Sequence, residues 1–308
     1  VKKISSDNCF NIGNRIKAIK TSVSNAEPNE VILIAGKGHE AEQIYKNKII
    51  SISDKKIIKK LKVKIKSSTK KIQKFTHNKK ILKKIVKGVR VDNFDGIAID
   101  SREVKKNNLF LTIKGKNNDG ANFVSKALKK GAKYIISSNA SKKYKSKTIK
   151  VNNEINFLNS FASLKRDNST AKILAITGSA GKTSLKNLIN ELLQNFGETY
   201  SSPKSYNNHF GVPISLSNLN INHEFGVFEV GMSKAGEIDS LSKIIKPHVG
   251  IITNIGEAHI ENFKNMKGVA DAKGEIINNI ENNGTVILNR DDQFFNYLRK
   301  KAKSIPNQ

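Results

Sequence analysis

Apolar and polar positions along this chain follow two rhythms, and the points where one gives way to the other predict its elements. Short, mostly apolar runs of strand length fall at 31–35, 97–99, 109–113, 134–136, 173–176, 225–231, 249–253 and 285–288. Between them apolar residues recur at helical spacing: Ile16, Ala18, Ile19 and Val23 early, Phe123, Val124, Ala127 and Leu128 in the middle, Val269, Ala270, Ile276 and Ile277 late. Several of the strand-like runs end in polar or charged residues, as in a parallel sheet with a ligand crevice at its carboxyl ends. The pattern predicts an α/β fold: a small α/β module, then a larger domain whose mostly parallel sheet is flanked by helices.

The sharpest change of rhythm lies at 172–196. The run Ile173, Leu174, Ala175, Ile176 reads as a buried strand. Gly178-Ser179-Ala180-Gly181-Lys182-Thr183-Ser184 then turns the chain into a helix with Leu185, Leu188, Ile189, Leu192, Leu193 and Phe196 on one face, predicted to pack on the sheet. Glycines let backbone N–H groups converge on an anion, the helix N-terminus adds partial positive charge, Lys182 reaches outer phosphates and the Thr183 hydroxyl suits Mg²⁺. ATP or GTP fits such a cradle. The eight-position phosphate-loop pattern asks for glycine where Ile176 stands. A glycine turn that binds nothing is therefore the plain alternative.

Other candidates sit at strand ends. The polar loop 205–213 holds Asn207 and Asn208. The run at 225–231 carries Glu229, and a buried strand with a carboxylate near its end points to a hard cation. Glu257 and His259 follow 249–253, Lys273 lies in the late helix, and Asn289, Asp291 and Asp292 follow 285–288. Upstream, Asp100-Ser101-Arg102 either binds a phosphate or polar ligand or is an Asp–Arg pair pinning a turn. Gly36-Lys37-Gly38-His39-Glu40 is either a ligand loop or a turn capped by His39.

Bulk properties narrow the choice. The chain has 308 residues, is 37% hydrophobic and contains a single cysteine, so it can build ordinary cores, holds no disulfide framework and suits a reducing cytosol. No apolar run reaches transmembrane length, which predicts a cytoplasmic protein without stable membrane insertion. The net charge of +29 invites a nucleic-acid reading. Much of that charge lies at 55–87, where lysine alternates with isoleucine and no acidic residue occurs. A solvated linker or helix face is the default there, and no nucleic-acid partner is expected.

Taken together, these stretches resemble the Mur ligases, ATP-dependent amide-bond formers of peptidoglycan synthesis. The Thr177-to-Thr183 loop looks like that family's shortened phosphate loop. Asn207-Asn208 to Pro213, Glu229-Val230-Gly231 with Gly236-Glu237-Ile238, 254–259, Ala272-Lys273-Gly274-Glu275-Ile276, and Asn289 with Asp291-Asp292 are similar in order and spacing to the member that adds D-alanyl-D-alanine. The Asp100-Ser101-Arg102 and Asp119-Gly120 module looks like its UDP-sugar-binding domain. The first segment, with Gly13-Asn14-Arg15, 35–40, Gln43 and Ser53-Asp54, resembles the Rossmann-like closing domain of the member that adds the third amino acid. The resemblance implies four parts: 1–54, a fragment of that closing domain; 55–87, a Lys-rich linker; 88–168, a UDP-sugar-binding domain; and 169–308, a truncated ATP-binding domain. A piece of a fusion of two ligases is expected, with further domains upstream and a third ligase domain downstream.

The implied reaction joins UDP-N-acetylmuramoyl-tripeptide to D-alanyl-D-alanine through an acyl-phosphate, with ATP and Mg²⁺. The resemblance assigns Lys182, His259 and Lys273 to catalysis; 178–184, Asn208, Asn289 and Asp292 to the nucleotide; Thr183, Glu229, His259 and a carbamylated Lys273 to metal; and Ser101, Arg102, Asp119, Gly36 and Glu40 to substrates. Two other classes compete. A nucleotide switch or transport ATPase lacks support from a guanine-reading Asn-Lys-x-Asp, and a basic nucleic-acid module from the charge, which avoids the ordered motifs.

Overall fold

The computed structural model describes residues 15–25, 42–45, 48–51, 70–115, 118–139 and 141–303. They fall into two units, 1–67 and 68–308. In the first, the helical spacing around Ile19 becomes α1 (Arg15–Asn25), and β1 (Glu42–Tyr45) pairs antiparallel with β2 (Lys48–Ser51). The run at 31–35 and the loop with Gly36 and Glu40 lie outside the described residues.

The second unit opens with α2 (Lys70–Ile85). The expectation of a linker across 55–87 does not hold for this helix. Ile81 and Leu82 are buried with Phe94, Phe157 and Phe161, and buried Asn78 donates to the carbonyls of Phe94 (3.2 Å) and Asp95 (3.0 Å). Lys80, Lys83 and Lys84 stay exposed, so the helix has a core face and a charged face.

A parallel sheet follows in sequence order: β3 (Ile97–Ala98), β4 (Leu109–Leu111), β5 (Tyr134–Ser137) and β6 (Thr148–Lys150). On one face Phe110 and Ile135 pack with α3 (Val124–Lys129); on the other Leu109, Leu111 and Ile136 pack with α2 and α4 (Glu154–Asp167). β6 and α4 are additions to the elements expected from the sequence.

The second sheet is also parallel, ordered β11-β10-β7-β9-β8. Its strands are β7 (Lys172–Thr177), β8 (Thr199–Ser201), β9 (Phe225–Glu229), β10 (Val249–Ile252) and β11 (Thr285–Leu288). α5 (Lys182–Leu193) lies on one face. α6 (Gly211–Asn218), α7 (Glu237–Ile245), α8 (Met266–Gly274) and α9 (Phe295–Lys303) build the core on the other.

Two expectations change here. Only Leu185, Ile189 and Leu193 of the α5 stripe pack on the sheet, against Ile176, Val227 and Ile251; Leu188, Leu192 and the following Phe196 are more than half exposed. The stripe is wider than the contact. Second, the polar loop expected to run to Pro213 ends at Phe210, and Gly211 to Ser217 are buried in α6. This helix joins the two sheets: Val212 and Leu216 enter one core and Ile214 the other. Asn218 completes the junction, accepting from Ile97 N (3.0 Å) and donating to Ile97 O (2.9 Å). No helix among the described residues is long and apolar enough to cross a membrane.

Candidate functional site

The central strand β7 delivers the glycine-rich loop, and its geometry explains the glycines. Gly178 has φ 144, and a Cβ there would lie 1.9 Å from Thr253 Oγ1. Gly181, at φ 79, is the N-cap of α5. The loop is fastened to the segment after the neighbouring strand β10. Asn254 Oδ1 accepts from Ser179 N (3.1 Å) and Ala180 N (2.9 Å), Thr253 Oγ1 donates to Ala180 O (2.6 Å), and Gly256 N donates to Ser179 Oγ (2.7 Å). Asn254 opens the run 254–259 that the sequence already singles out, but its work, holding another loop's backbone, is not legible there; for Thr253 the place at the end of a central strand is the only local signal.

β9 lies on the other side of β7 with Glu229 opposite Ile176, which brings its carboxylate beside the start of α5. Thr183 Oγ1 donates to Glu229 Oε2 (2.7 Å) and Asn207 Nδ2 to Oε1 (2.8 Å); the carboxylate is 1% exposed. Lys182 Nζ donates to Gly178 O (2.8 Å), which holds the ammonium over the loop. A cavity of about 860 Å³ opens here, and Gly178, Ser179, Lys182, Asn208, His259 and Lys273 all line it. Residues spread from 178 to 273 thus converge on one crevice at the strand ends. Ala180, Gly181 and Ser184 form the exposed outer part of the loop and first turn.

Lys273 is buried on α8, and its ammonium is held down to about 8, first by burial and then by the charge of Lys182. His259 has a left-handed backbone (φ 65), and its Nδ1 lies 3.8 Å from Glu261 Oε1. Asn208 Oδ1 accepts from Phe210 N (3.1 Å) and Gly211 N (2.9 Å), starting α6. Thr183 and Glu229 sit beside the cavity without lining it, and neither Asn289 nor Asp292 lines it. Asn289 Oδ1 accepts from Asp291 N (3.1 Å), while Asp292 accepts from Ile255 N (2.6 Å) and Phe294 N (2.8 Å), tying the turn after β11 to the segment after β10.

No cluster of three His, Cys, Asp or Glu side chains suited to a metal occurs among the described residues. The oxygen donors in reach of one another are Thr183 Oγ1 and Glu229. That pair fits Mg²⁺, which takes one or two protein oxygens and fills its octahedron with waters and phosphate oxygens.

A second cavity, of about 460 Å³, lies by the first sheet and is lined by Asp100, Ser101, Arg102, Asn118, Gly120 and Tyr206 among others. Arg102 grips Asp100 through Nε (3.0 Å) and a terminal nitrogen (2.7 Å), and that guanidinium holds the Asp100 carboxyl below its ordinary range. The pair pins a turn, and that turn forms part of the wall of a pocket. Asp119 caps the following turn by accepting from Ala121 N (2.9 Å). Tyr206 donates to Glu103 Oε2 (2.7 Å), and burial together with that carboxylate pushes its phenol upward. Residues 203–210 touch both regions, since Tyr206 lines this cavity and Asn207 and Asn208 line the first.

Comparisons with known proteins follow the same division. Residues 93–166 match the Mur ligase family catalytic domain and residues 176–308 the Mur ligase middle domain. UDP-N-acetylmuramoyl-tripeptide–D-alanyl-D-alanine ligase of Rickettsia prowazekii is 38% identical over 214 residues, 69% of this chain and 47% of the relative. The Bacillus subtilis ligase of the same name is 33% identical over 64% of this chain and 44% of its own length. Among solved structures, MurF from Acinetobacter baumannii superposes with a TM-score of 0.65 at 31% identity, covering 73% of this chain and 51% of that one. MurF ligase from Thermotoga maritima in complex with ADP gives 0.58 at 31% identity, over 68% and 48%. The chain spans about half the length of the curated relatives it matches. With two family domains matched in order, and the loop and the buried lysine drawn to one crevice beside the strand-end carboxylate, the chain belongs to the Mur ligase family.

Proposed function

We propose that this chain carries the ATP-dependent half of a ligase that joins D-alanyl-D-alanine to UDP-N-acetylmuramoyl-tripeptide. The observation that carries the reading is the Thr183–Glu229 contact beside Lys182, next to the crevice that Lys182 and Lys273 line. The names of the relatives supply the substrates. Residues 88–168 are read as the UDP-sugar-binding domain, with Ser101, Arg102 and Asp119 toward that substrate, and 169–308 as the ATP-binding domain. Residues 1–54 are read as the closing part of a ligase for the third amino acid, on the Gly36 to Glu40 stretch.

In this reaction a tripeptide carboxylate oxygen attacks the γ-phosphorus of ATP, and ADP leaves. The amine of D-alanyl-D-alanine then attacks the acyl carbon, loses a proton and expels phosphate. The protein's part is positioning and charge neutralisation. The loop amides and the α5 N-terminus receive phosphate oxygens, and Lys182 balances charge between the outer phosphates. Thr183 and Glu229 would hold Mg²⁺, which would supply charge neutralisation at the phosphates. His259 faces the same crevice as a candidate for a second ion. Lys273, with its pKa near 8, has an appreciable neutral fraction at mildly alkaline pH. Its nitrogen can add to the carbon of CO₂ and lose a proton, turning a cation into an anionic oxygen donor. Asn289 and Asp292, on the turn after β11, are assigned to the nucleoside side.

The test is phosphate release from ATP with both substrates, using a protein extended past Gln308. Release that depends on both substrates and is lost in Lys182→Ala supports the reading. Hydrolysis indifferent to both would refute it.

A further inference from the structure

Helix α5 carries a second lysine that the reaction above leaves unused. Lys186 stands one turn beyond Lys182 yet does not line the cavity; it is 1% exposed. Its ammonium lies 3.7 Å from Glu229 Oε2, the oxygen that also accepts from Thr183, and it donates to the backbone carbonyl of Lys204. Lys204 has a left-handed backbone (φ 50) and begins the loop that brings Asn207 Nδ2 onto Glu229 Oε1. A fully buried ammonium is costly unless paired and hydrogen-bonded. Here it is retained at the point where the carboxylate and the loop holding it meet.

We infer that Lys186 is a positioning residue for the metal site: it fixes the Glu229 carboxylate directly through Oε2 and indirectly through the 203–210 loop, so that Glu229 is presented to Mg²⁺ in one orientation. The inference rests on the proposed role of Glu229. Groups that hold a ligating carboxylate in place tune metal affinity without touching the metal. Lys186 also carries a positive charge near a cation site, and charge alone would repel Mg²⁺. Positioning and repulsion therefore predict opposite signs for its removal.

The experiment measures the affinity of a non-hydrolysable ATP analogue by calorimetry, in EDTA and across a Mg²⁺ titration, for the whole chain. Lys186→Met, Glu229→Gln and the double variant are compared. Positioning predicts that Lys186→Met raises the Mg²⁺ needed for half-maximal enhancement by roughly ten- to a hundredfold. It also predicts unchanged affinity in EDTA and no added effect in the Glu229→Gln background. A merely structural role would lower affinity in EDTA as well, and would overturn the inference. Tighter Mg²⁺ dependence in Lys186→Met overturns it in favour of simple repulsion. Should Glu229→Gln leave the Mg²⁺ dependence unmoved, the metal reading itself fails, whatever Lys186 does. If Lys186→Met does not fold, Lys186→Gln, which keeps an N–H donor for the Lys204 carbonyl, carries the same measurement with the same outcomes.

Discussion

At the residue scale, the site is a set of charges whose separate burial assigns them separate work. Lys182 is half-exposed over the loop, which on the proposed function leaves it to meet phosphate, and removing one preorganised donor to developing charge costs about a hundred- to a thousandfold in rate. Lys182→Ala is expected to lower substrate-dependent phosphate release by about that factor, read in a coupled phosphate assay. Lys273 is buried instead, and its depressed pKa makes carbamylation steeply pH-dependent. Labelled bicarbonate should give a carbamate resonance that grows as pH rises toward and past 8 and is absent in Lys273→Ala. No resonance at any pH would leave Lys273 an amine. The sequence made these two lysines visible because each sits in a recognisable run. It hid Lys186, which looks like one more lysine among many, since only the fold shows that its side chain points inward to Glu229.

At the scale of elements, strand and helix existence was legible wherever the period was clear. β11 was read at its observed bounds, and β7 with its helix was read as one unit. What could not be read was partnership. A helix buries the part of its apolar stripe that its sheet reaches, so α5 leaves Leu188 and Leu192 in water. α2 shows the reverse, its lysines masking two core residues. Leu82→Ala is expected to cost about 2–5 kcal/mol of unfolding free energy. Lys83→Ala should stay within about 0.5 kcal/mol. Equal effects in denaturant titrations would restore the linker reading for α2. His248, at the entry to β10, accepts from Ile173 N on β7 (2.9 Å). Burial, then Arg166 and Lys172, holds the ring pKa below its usual 6.5. The folded pKa is the lower one, so the unfolded chain binds more protons between the two values. This contribution to stability is therefore full above pH of about 6.5 and is lost as pH falls through the depressed pKa. Melting in that window should flatten in His248→Asn, and an unchanged slope would assign the titration to another group.

At the scale of the molecule, residues 68–308 hold two parallel sheets that share α6, and Asn218 is the hydrogen-bonded rivet between them. A Cβ on Gly96 would lie 2.3 Å from Asn218 Oδ1, so the approach leaves no slack. Asn218→Ala strands the N–H and C=O of Ile97 and should cost about 1–3 kcal/mol. Because both cores meet at α6, the loss should lower a single melting transition of this unit; two separate transitions would show that the sheets unfold independently.

The Asn254 carboxamide gives the glycine-rich loop a built-in stand-in for an anion. Its oxygen already engages the N–H groups of Ser179 and Ala180, so on the proposed function nucleotide binding at those amides would be an exchange of one acceptor for another. The entropy of ordering the loop is spent during folding, and recognition should be quick and shallow in enthalpy at these two groups. Their amide hydrogens should exchange slowly with solvent before any nucleotide arrives, and fast exchange that slows only on binding would show a loop ordered by its ligand instead.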